Sequence, residues 1–266
     1  VRLSRGLGDV YKRQVYKTGQ VAFHYKDDTS YRAIPSDTKA SNLRATHFAY
    51  DLSGAREDIN VVFPIEGLRA LNQEGMIGSL ANNFLACMGG IYSQRAVTDD
   101  LVPQLVQRCI DEETDVVLLV PVWPVCHQTV GLISHQLEEA GIATVAISTA
   151  KDITEAVRMP RAAFLDFPQG FTAGKPNNMN LAKEILRSTL EMLDTSEDET
   201  LVDLDFHWAE NDEWKDSVFA VTSDGQATDN RLTRSADPQY QNDQDSIEAQ
   251  VSHKDGECLV CIGIDY

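Results

Sequence analysis

Apolar residues recur at helical spacing at Leu101, Val102, Leu105, Val106, Cys109 and Ile110, then close up into a β-branched run over residues 116–122. Helical spacing returns over 128–140 and stops at Gly141, a residue type that ends helices by accepting a left-handed conformation. The alternation continues with a strand over 142–148, a short helix over 151–158, a strand over 162–167 and a last helix over 181–193. Thr98 is placed to cap the first of these helices. Strands separated by helices at this spacing build right-handed crossovers. The pattern therefore predicts an α/β fold: an open, mainly parallel sheet flanked by helices, Rossmann-like, with an irregular acidic C-terminal extension.

The pattern is weaker upstream. A short strand is expected near 21–25, a loop over 53–60, and a helix from Ile65 that ends near Gly75. Residues 78–92 are small or apolar and are punctuated by Gly89-Gly90. Beyond Asp194 acidic residues dominate, and 224–245 is polar and turn-rich, with apolar islands at 206–208 and 214–221. Residues 194–266 read as an acidic extension draped on the core and partly mobile, not as a second globular domain. Residues 15–193 read as the α/β domain. The first 14 residues start at Val1 without methionine and share no pattern with the rest of the chain. They read as translated adapter sequence of the kind found at the ends of assembled metagenomic reads, expected to be disordered or poorly packed.

Composition narrows the function. The 266 residues carry a net charge of −18, with a pI near 4.6, which argues against nucleic acid and against an anionic membrane surface. No apolar run approaches the ~20 residues that span a bilayer. Five cysteines, odd in number and scattered, with no secretory signal, indicate reduced thiols in a cytoplasm. Cys258 and Cys261 have redox or half-zinc spacing, but nothing near them completes a tetrahedral site, and no metal site is expected. His253 alone stands close by. A redox pair and a coincidence of spacing are both open readings of the pair.

The best-placed reactive atom is the thiol of Cys126, where the 116–122 run turns into a helix. Open α/β sheets bind ligands beyond the carboxyl ends of their strands. A thiol in a first helical turn sits among unpaired N–H groups at the positive end of the helix dipole, and both favour thiolate. The plainer reading is a small apolar side chain under a sheet. Lys175, in a glycine-bearing loop after the 162–167 strand, belongs on the same edge and could anchor a substrate carboxylate with backbone N–H groups from 170–174; it could equally be a loop lysine in water. Gln128, Thr129 and Gly131 come after Cys126 in the helix. Thr129 could bond substrate or cap locally, and Gly131 would permit close approach of a neighbouring backbone. His127 adjoins Cys126 but does not share its helix face. His47, with Asp51, could form an oriented imidazole pair. Each histidine could instead be a hydrogen-bonded core residue. Asp58 and Asn60 read as loop caps, and Arg161 as lying at the opposite end of the sheet.

Several segments together resemble a known family. Pro124-Val-Cys126-His-Gln-Thr-Val-Gly131, Glu138-Glu-Ala-Gly-Ile142, Pro160-Arg161, Phe164-Leu-Asp-Phe-Pro168 and Gly174-Lys-Pro176 are similar to the selenoprotein B family, components of glycine, sarcosine, betaine and D-proline reductases. Upstream, His47, Asp51, Asp58-Ile-Asn60-Val-Val-Phe-Pro64 and Glu74-Gly-Met-Ile-Gly78 resemble the D-proline type, as do Trp214-Lys-Asp and Pro238-Gln-Tyr-Gln241 downstream. The resemblance covers roughly residues 31–245. It implies reductive cleavage of the C–N bond of a small amino acid, a thioredoxin-type dithiol as electron donor, no bound cofactor and partner reductase subunits. It also implies a selenocysteine three residues before a cysteine. The cysteine falls on Cys126 and the selenocysteine position on Trp123, where an indole can form no selenenylsulfide. Trp123 is open to three readings: a branch working through Cys126 alone, loss of the reaction with the binding site kept, or a UGA codon translated under the wrong rule. The expected function is a reductase-like protein using Cys126. The alternative is a non-catalytic small-carboxylate binding or accessory subunit, and a thiol-dependent racemase or hydrolase is a third reading.

Overall fold

Strand-forming runs with no polar alternation need cover on both faces, and the chain supplies it. A computed structural model describes residues 7–11, 15–23, 28–47, 50–194, 200–218, 220–221, 223–224, 237–252 and 261–262, with 7–11, 200 and 261–262 as backbone alone. In chain order the elements are β1 Leu7–Tyr11, β2 Val15–Lys17, β3 Tyr31–Pro35, β4 Leu43–Ala45, α1 Ser53–Glu57, α2 Ile65–Gln73, β5 Asn83–Cys87 and α3 Val102–Asp111. Then come β6 Val116–Leu119, α4 Pro124–Glu139, β7 Ala143–Ser148, α5 Lys151–Ala156, β8 Arg161–Phe164, α6 Met179–Glu191, β9 Thr200–Asp203, α7 Asp243–Ser252 and β10 Cys261–Ile262. The main sheet runs β10-β3-β5-β1-β6-β7-β8-β9. Pairings are parallel from β5 through β1 and β6 to β9, and antiparallel where β3 meets β5 and β10. β2 and β4 form a separate antiparallel pair. The expected α/β fold, an open and mainly parallel sheet flanked by helices, is what the chain adopts.

Side chains of successive strand residues face opposite ways, and each face has its own core. Val116, Leu118, Val145, Ile147, Phe84 and Ala86 pack with Leu68 of α2 and Leu186 of α6. Val117, Leu119, Ala146 and Leu85 pack on the other face with Leu105 of α3 and Ile133 of α4. Double cover is why the 116–122 run reads as continuous apolar sequence. The chain places β5 on one side of β1 and, after α3, β6 on the other. The order therefore reverses between β1 and β6, the place where open α/β sheets leave a crevice.

The middle of the chain falls close to its expected boundaries, and the differences have local causes. The first helix starts before Thr98: Ser93 Oγ accepts the Ala96 N–H, and a π-helical stretch, Ala96–Leu101, leads into α3. Pro103, lacking an N–H, cannot make the ordinary i→i−4 bond, which eases the wider register. Thr98 lies inside the helix and donates to the Arg95 carbonyl instead of capping. Val21, Ala22 and Phe23 form no strand, and residues 24–25 lie outside the described residues. Leu7–Tyr11, expected to be disordered or poorly packed, forms a strand between β5 and β6. Those two neighbours present backbone donors and acceptors that must be paired, and pairing requires an extended backbone more than particular side chains.

The sheet also continues past Asp194, since β9 pairs with β8. Further on, Trp208 packs edge-on against Phe167 at 5.4 Å. Asp245 of α7 is buried beside Arg44 Nε at 3.3 Å, and the Tyr16 hydroxyl donates to it. Burial pushes the Tyr16 phenol above its ordinary value.

Candidate functional site at the carboxyl edge of the sheet

The turn from β6 to α4 is built by a proline. Trp123 is extended (φ −144°, ψ 153°) as the N-cap, and Pro124 takes the first helical position, where its missing N–H costs nothing. Cys126 is therefore the third residue of α4, in the first turn as the sequence predicts. It is 0% exposed and belongs to the apolar cluster under α2 and α6, whereas Val130, Ile133 and Leu137 of the same helix face the other cluster. Cys87 and Cys109 lie in that other cluster, and no disulfide joins the three. Trp123 is half-buried and packs against both clusters.

His127 is fully buried and braces the turn. Its Nδ1 lies 2.8 Å from the Trp123 carbonyl, and its Nε2 lies 3.2 Å from the Thr149 N–H. A carbonyl only accepts and an amide N–H only donates, so Nδ1 carries the proton and Nε2 is the acceptor. Burial pushes its pKa down to about 4 and keeps the ring neutral. Thr129 Oγ1 donates to the Gly89 carbonyl at 3.1 Å, shared with Val125 O at 3.2 Å, which ties α4 to the loop after β5. Thr172 Oγ1 donates to the Pro121 carbonyl at 2.7 Å and ties in the loop after β8. Gln128 is exposed. Gly131 does permit close approach, but of a side chain: a Cβ there would stand 2.7 Å from Val157 Cγ2.

The remaining candidates have partners of their own. Lys175 is on the carboxyl edge but holds its ammonium 5.6 Å over the Trp208 ring and lines a cavity with His207, Glu210 and Asp212. His47 is buried against Tyr50, with ring centroids 4.6 Å apart, and burial pushes its pKa down to about 3. Asp51 accepts the N–H and hydroxyl of Ser53 at the start of α1. Asp58 Oδ1 accepts the Asn60 N–H and its Oδ2 accepts the Asn177 N–H, a loop-tying role. Arg161 pairs with Glu138 at 2.6 Å at the amino end of β8, opposite the Cys126 edge. Among the described residues no group of three or more His, Cys, Asp or Glu could hold a metal ion. Cys258 lies outside the described residues, and Cys261 is described only as backbone in β10.

Sequence reading passed over a neighbouring cavity of about 230 Å³, lined by Asp51, Gln169, Phe171, Trp208 and Trp214 among others. Gln169 Nε2 donates to the Thr149 carbonyl at 2.9 Å, and Thr149 in turn meets His127. A hydrogen-bonded path thus runs from the cavity wall to the first turn of α4. The available signal was the tryptophan pair within an otherwise acidic tail, an expensive residue type to leave on a solvated surface.

An open, mainly parallel sheet flanked by helices, with a strand-to-helix turn at its switch point, places the chain in the α/β class. Comparison with known proteins narrows the class. Residues 29–121 match the family model of glycine/sarcosine/betaine reductase selenoprotein B. The D-proline reductase subunit gamma of Acetoanaerobium sticklandii is 31% identical over 179 residues, covering 67% of this chain and 74% of that protein. The glycine reductase complex component B subunit gamma of Symbiobacterium thermophilum is 27% identical over 169 residues, covering 61% of this chain and 38% of that protein. The sarcosine reductase complex component B subunit beta of Peptoclostridium acidaminophilum is 26% identical over 170 residues, with the same coverage, 61% and 38%. The chain belongs to the selenoprotein B family and is nearer in sequence to the D-proline type among these. It spans under two fifths of the glycine and sarcosine relatives. The family match ends at Pro121, two residues before Trp123. No solved structure matches.

Proposed function

We propose that this chain works as a component of a small-amino-acid reductase, and that it meets the reaction at the β6–α4 turn. The observation that carries this is the coincidence of two placements: the switch point of the sheet and the Trp123-Pro-Val-Cys126 turn occupy the same edge. Support for partner subunits comes from the relatives, which are named as subunits of reductase complexes. A cytoplasmic location and a dithiol donor belong to the same proposal. No helix among the described residues is long and apolar enough to cross a membrane.

Reductive C–N cleavage through the Cys126 thiol requires that sulfur to reach both substrate and donor. Cys126 is sealed in apolar surroundings, and an indole stands three residues earlier. The geometry therefore favours a binding and scaffolding subunit, without thiol turnover of its own, over a self-sufficient reductase. The thiol reading keeps one observation in its favour: Cys126 sits in the first turn of a 16-residue helix, where thiolate is stabilised. Iodoacetamide labelling of the native full chain, mapped by mass spectrometry, separates the two. Cys126 is expected to react no faster than Cys87 and Cys109. Labelling about tenfold faster at neutral pH would establish the thiol reading and sink the scaffolding one.

A further inference from the structure

The sheet ends laterally at β9, and among the described residues no further strand pairs with that edge. The Leu204 N–H donates to the Phe164 carbonyl, so by the two-residue alternation of a strand Val202 also turns its backbone towards β8. Leu201 and Asp203 turn theirs outward, and the N–H and C=O of each have no partner among the described residues. The two faces of the strand differ. Leu201 packs into the core under α3 and α4, and Asp203 follows it on the same face. Val202, on the opposite face, is 38% exposed, and half-buried Leu204 continues that apolar side. We propose that β9 is a docking edge for an extended, basic segment of a partner subunit, which adds to the sheet as a further strand.

An open edge is a template for strand pairing, and folded proteins commonly blunt one with lysine or proline. Residues 200–208 contain neither. Charge of a single sign stands in their place: residues 194–205 hold six Asp and Glu and no Lys or Arg. The side chains of Asp203 and Asp205 are 61% and 98% exposed. A second copy of this chain paired along β9 would bring these carboxylates together, and opposed like charges destabilise a ladder. A basic strand meets the reverse situation. Lys151 already holds its ammonium 2.6 Å from Asp203, an ion pair made at the edge itself. The geometry also fixes the pattern of the incoming strand. Lysine or arginine falls on the Asp203 face, and β-branched residues fall on the face of Val202. The net charge of −18 steers such a segment towards the chain before contact.

The edge gives the proposed complex a docking surface and a partner chemistry, and it rests on that reading only for the existence of a partner subunit. The test titrates the full chain into a short fluorescein-labelled peptide of alternating lysine and valine, read by fluorescence anisotropy. Saturable binding is expected. Glutamate in place of the lysines should weaken it at least about tenfold. Methylating alternate backbone nitrogens keeps the charge but removes the ladder donors, and should weaken it about tenfold as well. Asp203→Asn should weaken binding several-fold. Asp203→Pro should weaken it further, because it also removes an outward N–H, a place where a strand tolerates proline. Glu184→Gln, an exposed carboxylate of α6, should leave binding unchanged. No saturable binding, or equal binding of the methylated peptide, would overturn the proposal. So would a dimer of the chain alone, seen by sedimentation and abolished by Asp203→Pro, since a second copy would then occupy the edge. Thiol labelling and this titration read different groups, so either idea can fail without the other.

Discussion

Lowering the pH from 7.5 to 5 should destabilise this protein steeply, because two imidazoles are buried neutral. Burial lowers the pKa of His47 to about 3 and of His127 to about 4, against 6.5 in the unfolded chain. Above pH 6.5 neither state holds the proton and the groups contribute nothing to pH dependence. Below it the unfolded chain takes up both protons while the folded protein takes up neither, until the folded pKa values are reached. Stability is thus retained above about 6.5 and lost as pH falls towards 4. With two extra protons on the unfolded state, the loss approaches about 2.7 kcal/mol per pH unit. Between pH 7.5 and 5 that comes to ~4 kcal/mol, a large share of the ~5–15 kcal/mol that holds a domain together. Urea unfolding monitored by fluorescence at half-unit pH steps measures the slope. The informative variant is His127→Asn, whose side-chain N–H can still donate to the Trp123 carbonyl but which does not titrate. Its slope should fall to about 1.4 kcal/mol per pH unit. A flat profile in the unmodified protein, or an undiminished slope in the variant, would refute the reading of His127 as a neutral buried brace.

Gly131→Ala places a methyl against Val157 and should cost ~1–3 kcal/mol in urea unfolding, recovered largely by Val157→Ala in the same chain. Failure of the second change to rescue the first would mean that α4 and α5 are not limited by this contact. Trp123→Cys should form a disulfide with Cys126 under mild oxidation, because N-cap and third-residue side chains each reach the other residue's backbone in a capping box, which brings the two Cβ atoms close. The readout is the loss of two hydrogens in the intact mass and of two titratable thiols. If both thiols persist after oxidation, the turn cannot host a two-sulfur relay.

The parts of the fold legible in the sequence are those whose contacts are periodic and local. β7 and α5 fall where period and stop residues place them, because β7 pairs with β6 and α5 packs on α4, both close by in the chain. β3 was hidden by Arg32, which reads as a break in an apolar strand yet is fully buried. Its Nε donates to the Val21 carbonyl at 2.7 Å, its Nη1 to Ser30 Oγ at 2.8 Å, and its guanidinium lies 4.0 Å from the centre of the Phe23 ring. Those partners come from a preceding segment that has no strand periodicity of its own. β5 was hidden differently: Phe84-Leu85-Ala86 sits in a stretch of small residues with no alternation to mark its ends.

The same division runs through the site. That Cys126 opens a helix could be read from the strand before it, since both elements are consecutive in the chain. Its burial depends on α2 and α6, whose nearest residues lie about fifty positions away on either side, so no local pattern could reveal it. His127 shows the point in one residue. Beside Cys126 in sequence, it invites a catalytic role, yet its ring binds the carbonyl of Trp123 and the amide of Thr149, 22 residues on. A neutral ring with both nitrogens committed to backbone fixes the turn and cannot also serve as a base without breaking it. Whatever chemistry the edge performs must therefore come from groups other than this imidazole.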